Sequence, residues 1–279
     1  VADDFTVDKR EKLPALSRIK AIIIDLDGTL LSDENEISEK NLQALQFIKE
    51  QGIPLIIATA RPPRLVKSYK NLLNKIDYLL CFNGLLSYKV GNNTLSLIQQ
   101  STPLSLEFIT KVQNRLEKEG NIATLTYETE EDWLAEKSFR PGVLKDYPGA
   151  DNELPQITKR SIIMKSNIYK VMFKTSSLNF WRQKYPEYYI DYLHNSPVLE
   201  ALPGEMDKAA AVKELLQKQE ISWHNIIAFG DASNDLTIIR EADFGIAMKN
   251  ATAKLKEEAF LVTDTNDNSG VAQVIEYYY

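Results

Sequence analysis

Short apolar runs recur along the chain, and stretches with apolar residues at helical spacing lie between them. The first run, Ile19 to Asp25, carries Ile22-Ile23-Ile24 and predicts a strand buried on both faces, the kind found in parallel sheets. A polar loop, Leu31 to Glu36, follows. Ser38 then sits at an N-cap position, Leu42, Leu45 and Ile48 give helical spacing, and Gly52 is the stop. Ile53 to Thr59 reads as the next strand. Pro62-Pro63 opens a helix through Leu65 and Leu72, and Ile76 to Phe82 is a third strand ending at Asn83-Gly84. This β-α-β-α-β order implies a parallel sheet with right-handed crossovers.

The rhythm then breaks. Ser87 to Gln99 alternates around Gly91-Asn92-Asn93 and predicts a hairpin. A helix is expected from Leu104 to Glu119 and a strand from Ile122 to Tyr127. Glu128 to Lys165 resists assignment, with Pro141-Gly142, Pro148-Gly149 and Pro155 marking loops. Tyr169 to Lys174 reads as a strand, Leu178 to Lys184 as a helix and Tyr188 to Leu193 as a strand. From Val198 the α/β rhythm returns. Strands at Val198 to Leu202, Ile226 to Phe229, Phe244 to Met248 and Phe260 to Thr263 alternate with helices. The helices open at Lys208, run through Leu236, Ile239 and Ala242, span Ala251 to Ala259, and close the chain at Val271 to Tyr278. The expected architecture is one open parallel α/β sheet built from both ends of the chain, with an inserted α+β domain. The divisions are an extension over 1–18, core segments over 19–86 and 196–279, and the insertion over 87–195.

Composition narrows the function. The chain has 279 residues, enough for two modest domains, with a net charge of -6 and a pI near 5.2. No basic excess is available to neutralise phosphates, which argues against non-specific nucleic-acid binding. The single cysteine, Cys81, lies in an apolar run and is expected to pack in the core. No apolar run approaches membrane-spanning length, and the first residues have no signal-peptide centre, so a cytoplasmic protein with no membrane partner is expected.

In open α/β sheets, ligands bind beyond the carboxyl ends of the strands. Those ends carry Asp25 and Asp27, Thr59, Asn83, and Gly230-Asp231. Two carboxylates two residues apart at a strand end aim to the same side, and their repulsion calls for a proton or a cation between them. Asp231 with Asp25 offers hard oxygen ligands suited to Mg²⁺. Each residue alone has a plainer reading: an Asp-Gly turn, a helix cap at Ser233 or Asn234, a first-turn acid at Asp235, a solvated Lys208.

Asp25-Leu26-Asp27-Gly28-Thr29, Thr59, Lys208 and Gly230-Asp231-Ala232-Ser233-Asn234-Asp235, in that order, resemble the four motifs of the haloacid dehalogenase superfamily. The insertion resembles the class IIB cap of the Cof-like phosphatases, and Asn83-Gly84 and Gly245 to Ala251 are further matches. Ala60 departs from the glycine that this family usually has there, which alters the local turn rather than the role of Thr59. The resemblance implies a Rossmann-like core with a cap domain, and a Mg²⁺-dependent phosphatase acting on a small phosphorylated metabolite such as a sugar phosphate. It implies Asp25 as nucleophile and a protonated Asp27 as general acid and base. It gives Asp25, the Asp27 carbonyl and Asp231 as metal ligands, with Asp235 acting through a coordinated water or by orienting neighbours. Thr59, Lys208 and Asn234 would bind phosphate oxygens, and Ala60, Arg61, Asn83 and Gly84 would lie near the substrate. A phosphomutase or phosphotransferase with the same nucleophile, or a non-catalytic phosphometabolite sensor, are the alternatives. Within the insertion the aromatic residues Tyr127, Trp133, Tyr169, Trp181 and His194 are read as core rather than as a sugar platform, and neither they nor the basic Arg140, Lys165 and Lys170 are assigned to substrate. The oligomeric state is left open.

Overall fold

The computed structural model describes residues 13–92, 94–138, 147, 153–175, 177–193, 196–204 and 207–279. Pro141-Gly142, Pro148-Gly149, Arg140, His194 and most of the expected N-terminal extension lie outside the described residues. Leu13 is buried, so the chain joins the core before Ser17. Among the described residues no helix is long and apolar enough to cross a membrane.

The chain forms two compact units. One comprises residues 1–60, 69–99 and 207–279; the other comprises 61–68 and 100–206. The first unit is built on an eight-stranded sheet. Its strands are β1 (Ala21–Ile24), β2 (Leu55–Ala58), β3 (Tyr78–Cys81), β4 (Leu86–Gly91), β5 (Thr94–Gln100), β12 (Ile226–Gly230), β13 (Phe244–Ala247) and β14 (Leu261–Val262). The spatial order is β14-β13-β12-β1-β2-β3-β4-β5. Pairing is parallel from β14 through to β3 and antiparallel between β3 and β4. Every residue of β1, β2, β3 and β12 is buried, which is why these strands read as unbroken apolar runs. The chain leaves β1 toward β2 and β3, then returns to β1's other side as β12 and β13. The switch in direction therefore falls between β1 and β12, where open α/β sheets bind ligands.

Helices fill the crossovers. α1 (Glu39–Glu50) starts where expected: the Ser38 side chain accepts from the Asn41 amide at 3.1 Å. α3 (Lys70–Leu73), α7 (Lys208–Lys218), α8 (Leu236–Glu241), α9 (Ala253–Glu258) and α10 (Gly270–Ile275) complete this unit. The helix expected after Pro62-Pro63 is instead two short pieces, α2 (Pro63–Val66) and α3, and α2 belongs to the second unit.

The second unit carries a six-stranded sheet in the order β10-β11-β9-β6-β7-β8. The strands are β6 (Thr126–Glu128), β7 (Trp133–Ala135), β8 (Gln156–Ile157), β9 (Lys170–Lys174), β10 (Tyr188–Tyr192) and β11 (Val198–Pro203). β7, β8 and α5 (Arg160–Ile163) lie in the stretch that the sequence pattern left unassigned. α4 (Leu106–Glu119) and α6 (Leu178–Lys184) bury Phe108, Val112, Leu116 and Trp181 against Tyr127, Val171, Phe173 and Leu199 of one sheet face. Tyr127, Trp133, Tyr169 and Trp181 are all buried, as their reading as core residues requires.

Strand alternation puts Glu128, Lys170 and Glu200 on the opposite face. There the Arg64 guanidinium forks onto Glu128 at 2.7 and 2.9 Å, and also lies 4.9 Å from the Trp133 ring centroid. Lys170 pairs with Glu200 at 2.8 Å.

The expected domain limits need two corrections. The hairpin assigned to the start of the insertion belongs to the core sheet, because Leu86 to Lys89 pairs with Tyr78 to Cys81 and supplies the ladder partners of β3. Val198 to Leu202, expected as a core strand, lies between β9 and β10 in the second sheet.

Arg64 and Glu128 are both nearly inaccessible, whereas the Lys67–Glu131 pair is exposed. Glu128→Ala leaves a buried guanidinium without its main counter-charge, and should cost the second unit about 3–5 kcal/mol. Glu131→Ala should cost less than about 1 kcal/mol. Urea unfolding of the two variants checks this; equal losses would mean that the Arg64 pair is not effectively buried.

Candidate active site

Four parallel neighbours, β12, β1, β2 and β3, end side by side, and each delivers a polar residue at its carboxyl end: Asp231, Asp25, Thr59 and Asn83. The sheet therefore brings together residues more than 200 positions apart, as the strand-end reading required.

Lys208 is at the centre. It is the first residue of α7, whose start is capped by the Asp207 side chain accepting from the Ala209 amide at 2.8 Å. Its side chain is 1% exposed, and Nζ donates to Asp25 Oδ1 and, at 2.8 Å, to Asp235 Oδ1. The other Asp235 oxygen accepts from the backbone amides of Asp231 (3.2 Å) and Ala232 (3.1 Å). Asp235 is thus consumed in holding Lys208 and folding the turn after β12. Asp231 Oδ1 accepts from the Thr29 hydroxyl at 3.1 Å. Gly28, between these carboxylates in sequence, has φ +74° and could not carry a side chain: a Cβ there would fall 2.5 Å from Asp231 Oδ2. Asp27 is exposed while Asp25 is buried, so the two carboxylates differ in solvent access.

Thr59 is fully buried. Its carbonyl accepts from the Asn83 amide at 2.8 Å, and Asn83 Oδ1 accepts from Asn234 Nδ2 at 3.3 Å. Gly84 lets α7 approach closely, since a Cβ there would lie 2.2 Å from the Ala211 Cβ. Ala60 follows Thr59 in the same unit; Arg61 opens the segment that belongs to the second unit. Thr29, Asn250 and Asn266 contribute contacts that were not assigned from the sequence. Thr29 and Asn250 lie inside quoted motif stretches, while nothing in the spacing marks Asn266.

The electrostatics are unbalanced in one direction. Asp25, Asp231 and Asp235 bring ligand oxygens within 4.8 Å of one another. With all three ionised, the carboxylates would outnumber the single ammonium by two negative charges. Burial, then the Asp235 charge, push the Asp25 carboxyl well above the usual range, against the pull of Lys208. Burial and Asp235 likewise push Asp231 up to about 6. Burial alone would lower Lys208, but Asp235 and Asp25 outweigh it and hold the ammonium charged. A cluster of hard oxygen donors short of two positive charges fits a divalent cation such as Mg²⁺. Within the cluster both oxygens of Asp235 are engaged, whereas Asp25 and Asp231 each have a bond to one oxygen.

An open parallel sheet with an acidic, lysine-bridged cluster at its switch point defines an α/β protein with a ligand site at those strand ends. A family model for haloacid dehalogenase-like hydrolases matches residues 22–275, and the chain belongs to that family. YxeH of Bacillus subtilis is 30% identical over 275 residues, spanning 92% of this chain and 97% of its own. The 5-amino-6-(5-phospho-D-ribitylamino)uracil phosphatase YcsE of the same organism is 27% identical over 265 residues, spanning 93% and 96%. A haloacid dehalogenase-like hydrolase from Bacteroides thetaiotaomicron superposes with a TM-score of 0.80 at 25% identity, over 94% of this chain and all of that one. The subclass IIB sugar phosphatase BT4131 shares the fold at a TM-score of 0.76 and 22% identity, over 93% and 98% of the two chains. The chain is accordingly a phosphoric monoester hydrolase of the haloacid dehalogenase type.

The raised Asp231 carboxyl has a consequence for stability. In the unfolded chain it titrates near an ordinary value of ~3.9, in the metal-free fold near 6. The fold therefore binds the proton more tightly, and ionising Asp231 costs stability as pH rises through this window. Asp231→Asn, which stays neutral, should match wild type in EDTA below about pH 4, gain on it as pH rises from there, and exceed it by on the order of 3 kcal/mol above about pH 6. Thermal melts of both proteins across this range check it; a constant difference would mean that Asp231 is not strained.

Proposed function

We propose that this chain is a Mg²⁺-dependent phosphatase that hydrolyses a small phosphorylated metabolite, of the sugar-phosphate or polyol-phosphate kind, through attack by Asp25. The observation that carries the reading is Asp25 itself: a buried carboxylate at the end of β1, oriented through Oδ1 by Lys208, beside an acidic cluster short of positive charge. The substrate class is supported by the uracil-ribityl phosphate named for YcsE.

The chemistry divides into two displacements. In the first, an Asp25 oxygen forms a bond to phosphorus as the bond to the leaving oxygen breaks, and Asp27 gives that oxygen its proton. In the second, Asp27 takes a proton from water as the water attacks phosphorus, and the bond to Asp25 breaks to release inorganic phosphate. Lys208 directs Asp25 through its Oδ1, and hydrogen-bonds a phosphate oxygen together with Thr59 and Asn234. Asp25, Asp231 and the Asp27 carbonyl would hold Mg²⁺, which when bound supplies positive charge to the carboxylates and to the transferring phosphate. Asp235 acts as an orienting residue rather than as a ligand. The residue stretch 61–68 and 100–206 serves as the cap, and Ala60, Arg61, Asn83 and Gly84 lie on the substrate side of the strand ends. The acidic net charge and the use of a single cysteine, Cys81, which is buried, support a cytoplasmic enzyme with neither nucleic acid nor membrane as partner.

Asp25→Asn is nearly isosteric and removes a carboxylate that is strained in the metal-free fold, so it should melt no lower than wild type in EDTA while losing turnover of p-nitrophenyl phosphate altogether. Phosphate release and thermal melts together check this; near-wild-type turnover would eliminate Asp25 as nucleophile. Asp231→Asn should raise the Mg²⁺ concentration needed for half-maximal rate. Full activity of the unaltered enzyme in EDTA would remove the metal from the account.

A further inference from the structure

The turn after β1 is gripped at three carbonyls by asparagine side chains from elsewhere in the first unit. Asn250 Nδ2 donates to the Gly28 carbonyl at 2.7 Å. Asn41 Nδ2 donates to Leu30 at 3.2 Å, and Asn266 Nδ2 to Leu31 at 3.0 Å and to Asp33 Oδ1 at 3.0 Å. The grips are themselves held. Asn250 Oδ1 accepts from the Asn266 amide at 3.1 Å, and Asn41 Oδ1 from the Ala272 amide at 3.0 Å.

Asn41 and Asn266 are buried and hold the part of the turn that leads back into α1, as any stable connection there would need. Asn250 differs. It is exposed, and it reaches the carbonyl of the residue that directly follows Asp27. The Leu26 carbonyl accepts from the amides of both Leu30 (3.1 Å) and Leu31 (2.9 Å), which closes the chain into a small ring around Asp27, Gly28 and Thr29. Gly28, without a Cβ and at φ +74°, is the softest joint in that ring. Because the ring is closed, rotation at Gly28 must be matched by rotation at Asp27. Pinning the Gly28 carbonyl therefore restricts the backbone at Asp27, from which its carboxyl projects. It also fixes the peptide that carries Thr29, whose hydroxyl holds Asp231.

We propose that Asn250 is a positioning residue for Asp27: held by Asn266, it fixes the Gly28 carbonyl and so aims the Asp27 carboxyl at the leaving-group oxygen. This rests on the acid role proposed for Asp27. A carboxyl aimed wrongly hurts most where the leaving group cannot depart without its proton. An alkyl phosphate needs that proton; p-nitrophenyl phosphate, whose nitrophenolate leaves readily, needs it far less.

The test is kcat/KM for an alkyl phosphate and for p-nitrophenyl phosphate at saturating Mg²⁺, in wild type, Asn250→Ala, Asp27→Asn and the double variant, with thermal melts of each. Asn250→Ala should melt within about 3 °C of wild type, since the amide it removes is exposed. It should lose about 100-fold on the alkyl phosphate, the cost of a misplaced catalytic group, and no more than about tenfold on p-nitrophenyl phosphate. In the Asp27→Asn background the same change should leave the ratio of the two substrates unaltered, because the group it positions is gone. Asn250→Asp, equal in size but lacking the donor, should behave like Asn250→Ala and covers the case in which the alanine variant melts early. Equal losses on both substrates in the Asn250 variants, or a ratio that multiplies in the double variant, would overturn the positioning role while leaving Asp27 as the acid. Equal losses in Asp27→Asn alone would overturn the acid assignment, and this inference with it.

Discussion

The ammonium of Lys208, buried between Asp25 and Asp235, is the interaction on which the site depends. A charge so far from water persists only when it is paired and hydrogen-bonded. The pairing dictates topology. Asp25 closes β1 early in the chain, while Lys208 opens the helix after the second unit and Asp235 follows β12. The chain must therefore return to the same edge of the same sheet after more than 100 residues spent elsewhere. It does so by entering the sheet beside β1, and that entry creates the switch point at which the carboxylates gather. Gly84 and Ala211 let α7 pack close enough for its first residue to reach Asp25.

The same economy governs the acidic side of the site. Asp235 contributes one oxygen to Lys208 and the other to two backbone amides, so it shapes the turn on which Asp231 is carried. Asp25 and Asp231 keep an excess of negative charge that the protein does not neutralise. Burial makes this excess costly, and the raised carboxyls are its signature. A site with these properties favours a divalent cation, whose charge would in turn offset that of a phosphate, as a phosphomonoesterase requires.

Much of the fold and site was legible because the relevant strands are buried on both faces. Apolar runs at Ile22 to Ile24, Leu55 to Ala58, Leu79 to Cys81 and Ile226 to Phe229 admit few other readings, and their ends named Asp25, Thr59, Asn83 and Asp231 directly. What escaped was pairing. The alternation of Ser87 to Gln99 announces a hairpin but not which sheet receives it. Val198 to Leu202 resembled a returning core strand, although Glu200 within it is out of place in a strand buried on both faces; that residue faces Lys170 in the second sheet. The functions of Asp235, Thr29, Asn250 and Asn266 depend on contacts across more than half the chain or on which oxygen points where, and no periodicity encodes either. The ion pair of Arg64 with Glu128 was equally invisible, since an arginine after two prolines reads as an ordinary surface residue.

The central claim is that Asp25 attacks phosphorus, so that hydrolysis proceeds by two successive displacements. The stereochemistry at phosphorus tests it most directly. A phosphorothioate monoester made chiral with oxygen isotopes, hydrolysed by the wild-type enzyme in isotopically labelled water, reports the number of in-line displacements. The account predicts net retention of configuration, one inversion at Asp25 and a second at water. Net inversion would mean that water attacks the substrate directly, and would contradict the covalent role of Asp25.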